Sequence, residues 1–322
     1  MVSSGDAYTL CTEIMSANRL TPDALIGQVL GGRYRLRSVV GVGGMGAVYA
    51  ADDVTTGRPV AIKTLLPELD NASEIRRRFE REAATSGFLQ HPNIVEVYEM
   101  SAAGDGTLYL AMELVRGTSV AGLLADGAIH PRRVLVIARQ TLLGLGYAHQ
   151  HGLVHRDLKP ENIMVARRGD PGHEYDHVKL LDFGLVKVLG DAAGGLGWEK
   201  LTRTGMTFGT PRYMPPEQAL GRPVDARADL YSLGVILFET LTGRPPFDSD
   251  EAMSLLRLHI SQPPPSLGSI SGGAAWCTDA VQALVSRALA KQPEQRHADA
   301  RAMLAALDAA FVSIDHVPGR GA

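Results

Sequence analysis

Apolar residues recur along this chain with two periods, and the balance between them changes near Val115. Before that point, alternation dominates. "RYRLRSVV" (33–40) alternates at Tyr34 and Leu36 before Val39 and Val40, "AVYAAD" (47–52) resumes the pattern, and "VAIKTL" (60–65) repeats it after the turn "DVTTGRP". "NIVEVYEM" and "LYLAMELV" form two further strands around "AAGDG". One helix interrupts them across 72–89, with Ile75, Phe79, Ala83, Ser86 and Leu89 spaced by three or four. After Val115 the period is helical. An amphipathic helix covers 132–152 with Gly152 at its C-terminal cap, and 228–242 is apolar almost all round, as in a buried central helix. Helices follow over 250–260, 279–290 and 299–312, whereas residues 1–28 show no clear element.

Composition narrows the class. The 322 residues suffice for one large domain or two joined lobes. A net charge of −3 argues against a nucleic-acid partner, which needs a concentrated basic face. Cys11 and Cys277 form no CxxC pattern, which speaks against a disulfide framework and fits a reducing cytosol. No apolar run approaches the roughly 18 residues of a membrane span. The N-terminus lacks the basic and apolar regions of a secretion signal, so the expectation is a soluble, cytoplasmic protein.

"GVGGMGAVY" carries glycines at Gly41, Gly43, Gly44 and Gly46. Such a loop lets backbone N–H groups approach phosphates, but the pattern also suits a plain turn. A dinucleotide fold would open a helix at the last glycine, whereas a strand follows here, and the Lys-Ser/Thr ending of a Walker loop is missing. A flap lying over phosphates fits the hairpin better.

Alternation places Ala61 and Lys63 on one strand face. On the following helix Glu82 shares the inward stripe of Ile75, Phe79 and Leu89. A carboxylate there is costly unless paired, and Lys63 is the nearest plausible partner; the alternative is that Glu82 reaches water. Such a pair would hold a lysine against ATP phosphates.

The charge-dense stretch "LVHRDLKPENIMV" (153–165) lies between apolar flanks that read as strands on both sides. Asp157 can accept a hydroxyl proton, and Lys159 can neutralise charge on a moving phosphoryl group. Asn162 and, in "LLDFG", Asp182 offer hard oxygens to Mg²⁺.

Together these segments resemble a protein kinase of the eukaryotic-like Ser/Thr type, over about Arg33 to Phe311. The motifs stand in the family's order: "GVGGMGAVY", "VAIK", "FEREA", "HPNIV", "HRDLKPEN", "DFG", "GTPRYMPPE", "DLYSLG" and "KQPEQRH". The glycine motif resembles the bacterial branch. The resemblance implies an α+β, bilobal protein kinase fold: an extension over 1–32, an N-lobe over about 33–115, a C-lobe over 116–312 and a flexible tail over 313–322. It implies ATP with Mg²⁺, or Mn²⁺ in its place, protein acceptors with Ser/Thr hydroxyls, and a homodimer for trans-autophosphorylation.

The resemblance also assigns roles. Val40, Gly41, Val42, Gly43, Gly44, Met45, Gly46 and Val48 would form the nucleotide flap, with Val48 and Ala61 above the adenine and Met164 below it. Met112 stands at the gatekeeper position, and Glu113 to Val115 would supply hinge contacts. His155 and Phe183 would stack in a regulatory spine, Asp229 would hold the catalytic-loop backbone, and Glu217 would pair with Arg296. Thr210 would bridge Asp157 and Lys159. Thr202 and Thr204 match the threonines that bacterial relatives autophosphorylate, with Arg156 as the phosphate's partner. Pro215 and Tyr231 depart from the usual Ala or Ser and the common Trp. The stretch between Asn162 and Asp182 is long and reads as an extended hairpin.

Two other functions fit the fold less well. A pseudokinase would lack some of Lys63, Glu82, Asp157, Asn162 and Asp182, but all are present. A small-molecule kinase would not need "GTPRYMPPE". A metal site at His149 and His151 is disfavoured, because residues two apart on a helix face different ways.

Overall fold

In the computed structural model, residues 21–43, 46–64, 89–104, 106–183 and 211–316 are described. They fall into two compact units, one within 21–90 and 95–115, the other comprising 91–94, 116–183 and 211–316.

The first unit is an antiparallel sheet. Its strands are β1 (Val29–Leu30), β2 (Tyr34–Gly43), β3 (Gly46–Asp53), β4 (Pro59–Thr64), β5 (Val97–Ala102) and β6 (Leu108–Glu113), in the order β1-β2-β3-β4-β6-β5. Alternation divides its side chains cleanly. Tyr34, Leu36, Ala47, Tyr49, Ile62 and Ala111 pack into one apolar cluster on one face. That cluster explains the segment before β2, whose shortness hid it from any periodicity. Pro22–Leu25 forms a 3₁₀ turn, Tyr49 donates its hydroxyl to the Pro22 carbonyl at 3.1 Å, and Leu30 joins the core from β1. Glu99 gathers the hydroxyls of Tyr34 (2.7 Å) and Tyr109 (3.0 Å) together with the Arg33 guanidinium (2.9 Å). Gly31 has φ +57°, and a Cβ there would lie 2.4 Å from the Tyr109 hydroxyl, so the turn into β2 requires glycine.

The second unit is mostly helical. It contains β7 (Thr118–Ser119), α1 (Val120–Leu124), α2 (Pro131–Gln150), the hairpin β8 (Ile163–Arg168) and β9 (Tyr175–Leu180), α3 (Pro216–Ala219) and α4 (Arg227–Thr242). Beyond α4 come α5 (Ala252–Ser261), α6 (Leu267–Ser271), α7 (Asp279–Ala288) and α8 (Ala300–Asp315). Fourteen of the sixteen α4 residues, Ala228 through Leu241, are buried, so every side of the helix meets core. Gly243 closes α4 in the left-handed conformation at φ +75°, with its N–H bonded to the Glu239 carbonyl. The long stretch after Asn162 is indeed a hairpin, in register from Ile163↔Leu180 to Arg168↔Tyr175. Asp176 anchors it: Arg133 from α2 and Arg167 both bond its carboxylate, which lowers its pKa against the opposing effect of burial.

One expectation is corrected. Leu153 and Val154 form no strand. After α2, Gly152 turns at φ +73° and the Leu153 N–H caps the helix at the Ala148 carbonyl, and these residues meet no strand edge among the described residues. β-Branched character without a partner is not enough to make a strand. The predicted helix over 72–89 has only Leu89 among the described residues.

Candidate active site

Strand pairing in the first unit collects the predicted nucleotide-facing residues. Val48 lies opposite Lys63, Lys63 opposite Leu110, and Ala61 opposite Met112. These share the sheet face opposite the Tyr49 and Ile62 cluster. Gly41 pairs with Val48 and Gly43 with Gly46, so the glycine stretch is a tight hairpin whose tip, Gly44 and Met45, lies outside the described residues. Val40 is exposed; Val42, Glu113 and Val115 are half-buried. Glu82 lies outside the described residues, as do Thr202, Thr204 and Thr210. A cavity of about 310 Å³ lined by Leu25, Gln28, Leu30, Gly31 and Thr107 contains none of the predicted site residues.

The charged loop of the second unit is held from beneath by one carboxylate. Asp229, near the start of α4 and 1% exposed, accepts the backbone N–H of His155 (2.9 Å) and that of Arg156 (3.0 Å). It also contacts His149 Nε2 at 2.7 Å. Thus one carboxylate replaces the strand expected on this side of the loop. His149 is a site residue that the sequence reading missed. Only its helix-end position was visible there, and its partner comes from 80 residues later.

Backbone conformation concentrates at the same place. Among the described residues, Arg156 (φ +67°) and Asp182 (φ +59°) are the non-glycine residues in the left-handed region. Each such residue costs about 1–3 kcal/mol and persists only where its surroundings enforce it. Arg156 precedes Asp157, and Asp182 is the second carboxylate on which the expected chemistry depends. His155 is fully buried; Nε2 contacts the Leu181 carbonyl at 2.8 Å, and its ring lies 4.7 Å from that of Phe183. The imidazole therefore ties "HRD" to "DFG".

Between these anchors, Lys159 Nζ donates to Asp157 Oδ2 at 2.7 Å. Asn162 is 5% exposed and donates its amide nitrogen to the Asp157 carbonyl at 2.8 Å. Its remaining amide oxygen is a neutral hard donor suited to Mg²⁺. Met164 follows, half-buried, on β8.

The segment after the described gap is clamped independently. Arg296 Nη1 and Nη2 each meet one oxygen of Glu217 at 2.7 Å, and both residues are buried. Arg296 also donates to the carbonyls of Ala290, Arg227 and Lys291 and lies over the Tyr231 ring. Tyr213 donates its hydroxyl to Glu239 at 2.6 Å. Burial raises the Glu239 carboxyl pKa, and that hydrogen bond opposes the shift.

Burial also lowers the pKa of three histidines, with His259 down to about 4. A group whose folded pKa lies below its unfolded value is protonated first in the unfolded chain as pH falls. Its contribution is therefore complete above about pH 6.5, the unfolded value, and is lost on descent toward pH 4. For His259 the loss is on the order of 3 kcal/mol. Thermal melts between pH 7 and 4.5 should show Tm falling, with a shallower fall for His259→Gln. An unchanged slope in that variant would rule out this origin.

Comparison with known proteins follows the same lines. Residues 34–307 match the protein kinase domain family. The chain is 39% identical over 309 residues to the serine/threonine-protein kinase pkn3 of Myxococcus xanthus, covering 94% of this chain and 55% of that protein. It is 42% identical to PksC of Streptomyces coelicolor, covering 85% of this chain and 48% of that protein. For PrkC of Bacillus subtilis the identity is 36%, with coverage of 89% and 42%. The chain thus spans about half the length of the curated relatives it matches. Among solved structures, the kinase domain of PknI from Mycobacterium tuberculosis superposes with a TM-score of 0.66 at 29% identity, covering 89% of this chain and all of that one. No helix among the described residues is long and apolar enough to cross a membrane. With the motif order, the two-unit architecture and these matches in agreement, the chain belongs to the protein kinase domain family and is similar throughout to bacterial serine/threonine kinases.

Proposed function

We propose that this chain transfers the γ-phosphate of ATP to serine and threonine hydroxyls of proteins, including its own activation segment. The observation that carries the reading is the Asp157–Lys159 pair at 2.7 Å, on a loop fixed by Asp229 and flanked by the two left-handed residues. Asp157 accepts the proton of the attacking hydroxyl. Lys159 offsets charge on the transferring group, and Thr210 holds the two together. Lys63, paired with Glu82, steadies the α- and β-phosphates under the amides of Gly41 to Gly46. Val48, Ala61 and Met164 enclose the adenine. Met112 limits its pocket, and the backbone of Glu113 to Val115 reads its edge. Asn162 and Asp182 would hold Mg²⁺, or Mn²⁺ in its place, which supplies charge neutralisation on the phosphates.

The test is incubation of purified protein with labelled ATP, Mg²⁺ and dephosphorylated casein, followed by phosphoamino-acid analysis. Label on Ser and Thr is expected. Nucleotide binding without any transfer would instead make the chain a pseudokinase, and label confined to tyrosine would overturn the acceptor assignment.

Autoregulation belongs to the same reading. A phosphate at Thr202 or Thr204 adds about −1.5 to −2 charge and would dock on the Arg156 guanidinium in a bidentate pair. Phosphorylation in trans within a homodimer is the proposed route, and the reducing cytosol the proposed compartment. Thr202→Ala/Thr204→Ala should lower casein phosphorylation on the order of tenfold, the equivalent of losing a charge-assisted hydrogen bond. Full activity in the double variant would dismiss this regulation.

A further inference from the structure

Arg212 carries a charge that the reaction described above does not use. It lies in the 3₁₀ turn Pro211–Tyr213, the first described residues of the segment that would receive a protein acceptor. That turn is mounted on the same helix as the catalytic loop. Asp229 of α4 holds the backbone N–H groups of His155 and Arg156, and Ser232, three residues later, donates its hydroxyl to the Tyr213 carbonyl at 2.8 Å. Three residues rise about 4.5 Å along a helix, so the two anchors share one turn. Glu239, two turns further on, accepts the Tyr213 hydroxyl at 2.6 Å.

The Arg212 guanidinium sits between two carboxylates. Nη2 donates to Asp248 Oδ1 at 2.9 Å, and Nη1 lies 4.0 Å from Glu239 Oε1. The two acids differ in setting. Glu239 is buried, whereas the Asp248 side chain is 66% exposed. Glu239 Oε2 is taken by Tyr213, and Oε1 is too far from Nη1 for a hydrogen bond. The niche is therefore acidic, with one buried wall and one wet wall, and the cation that fills it is the chain's own. A half-exposed pair such as Arg212–Asp248 adds little stability. Its larger effect is on the charge that the acceptor segment presents.

We propose that Arg212 is a specificity-determining residue: its guanidinium occupies the acidic niche of Glu239 and Asp248 beside the catalytic loop and so denies that niche to an arginine or lysine of the protein acceptor. The inference rests on the kinase reading and deepens it, because it names the acceptor charge that the site declines to select. With Arg212 in place, a basic acceptor residue finds one carboxylate already paired and meets a like charge. Without Arg212, Glu239 and Asp248 would face the acceptor together, and the planar fork of an acceptor arginine could bond them as Arg212 does.

The test reads a gain rather than a loss. Threonine peptides with Arg or Gln placed in turn at each position flanking the acceptor are phosphorylated by wild type and by Arg212→Ala. The measured quantity is the ratio of kcat/KM for the Arg peptide over the Gln peptide, in which any loss of folded fraction cancels. For wild type the ratio should stay within about twofold of unity. For Arg212→Ala it should rise about tenfold at one position, the equivalent of one charge-assisted hydrogen bond. Arg212→Lys should keep the wild-type ratio, since the ammonium still fills the niche, and Arg212→Ala/Asp248→Asn should lose most of the rise. A ratio that Arg212→Ala leaves unchanged at every position overturns the proposal. So does a wild type that already prefers the Arg peptide as strongly as the variant, or a rise that persists in full without the Asp248 charge.

A second measurement is independent of transfer. Fluorescence anisotropy of the labelled peptides should show the Arg peptide gaining about tenfold in affinity over the Gln peptide on going from wild type to Arg212→Ala. An equal affinity ratio in the two proteins overturns the proposal whether or not phosphate moves. Absence of transfer by wild type to any peptide would instead count against the kinase reading, and the anisotropy would then decide this proposal alone.

Discussion

Asp157→Asn should lower kcat for phosphate transfer to casein by about 10²–10⁴-fold, the usual contribution of a positioned general base. Asparagine matches aspartate in shape but cannot take up the hydroxyl proton at neutral pH. The loop itself should stand. The Asp157 side chain is 37% exposed, and its bond among the described residues is to Lys159, which is 27% exposed. What holds the loop is the Asp157 backbone, through the Asn162 amide, and Asp229 beneath His155 and Arg156. ATP affinity should therefore stay within about threefold of wild type, under 1 kcal/mol, and Tm should barely move. Titration of the nucleotide beside a casein assay separates the two effects. Wild-type turnover in this variant would remove Asp157 from the role of base.

The second large effect is on stability. Arg296→Met should destabilise the chain by about 3–5 kcal/mol, because it leaves the buried Glu217 carboxylate without its counter-charge. Arg296 makes two 2.7 Å bonds to Glu217 and three to carbonyls, all shielded from water, so little solvent can replace them. Tm should fall on the order of 10 °C. Arg296→Lys should recover only part of this loss, since an ammonium cannot present the planar fork that Glu217 accepts. Glu217→Leu/Arg296→Met should be less damaging than the sum of its single substitutions, because neither charge is then buried alone. The carbonyls of Ala290, Arg227 and Lys291 would still lack a donor, so recovery should be incomplete. Thermal melts of the four variants test this, and an Arg296→Met protein that melts with wild type would contradict it.

What the sequence made legible was local. The alternation around Tyr34 and Leu36 and the all-round apolar pattern of 228–242 translate directly into β2 and the buried α4, since each element's own residues decide its period. The charges of 155–162 likewise announce a site, because their density has no purpose in a turn. What was illegible depends on distant partners. Leu153 and Val154 look like strand, but no strand edge among the described residues reaches them, and the carboxylate of Asp229 takes over the task. His149 looked idle until α4 brought Asp229 to within 2.7 Å. Residues 22–30 are too short to show a period, and their apolar positions acquire meaning only against Tyr49 and the sheet core. The Arg212–Glu239–Asp248 cluster draws on separated segments, so no spacing rule could collect it.

The most direct test is a crystal structure of the protein with Mg²⁺ and a non-hydrolysable ATP analogue. One metal ligated by Asn162 and Asp182, with Lys63 on the phosphates and the Asp157 carboxylate turned toward the γ-phosphate, is the expected result. A nucleotide bound away from these four side chains, or a metal held by other residues, would contradict the assignment of this loop to phosphate transfer.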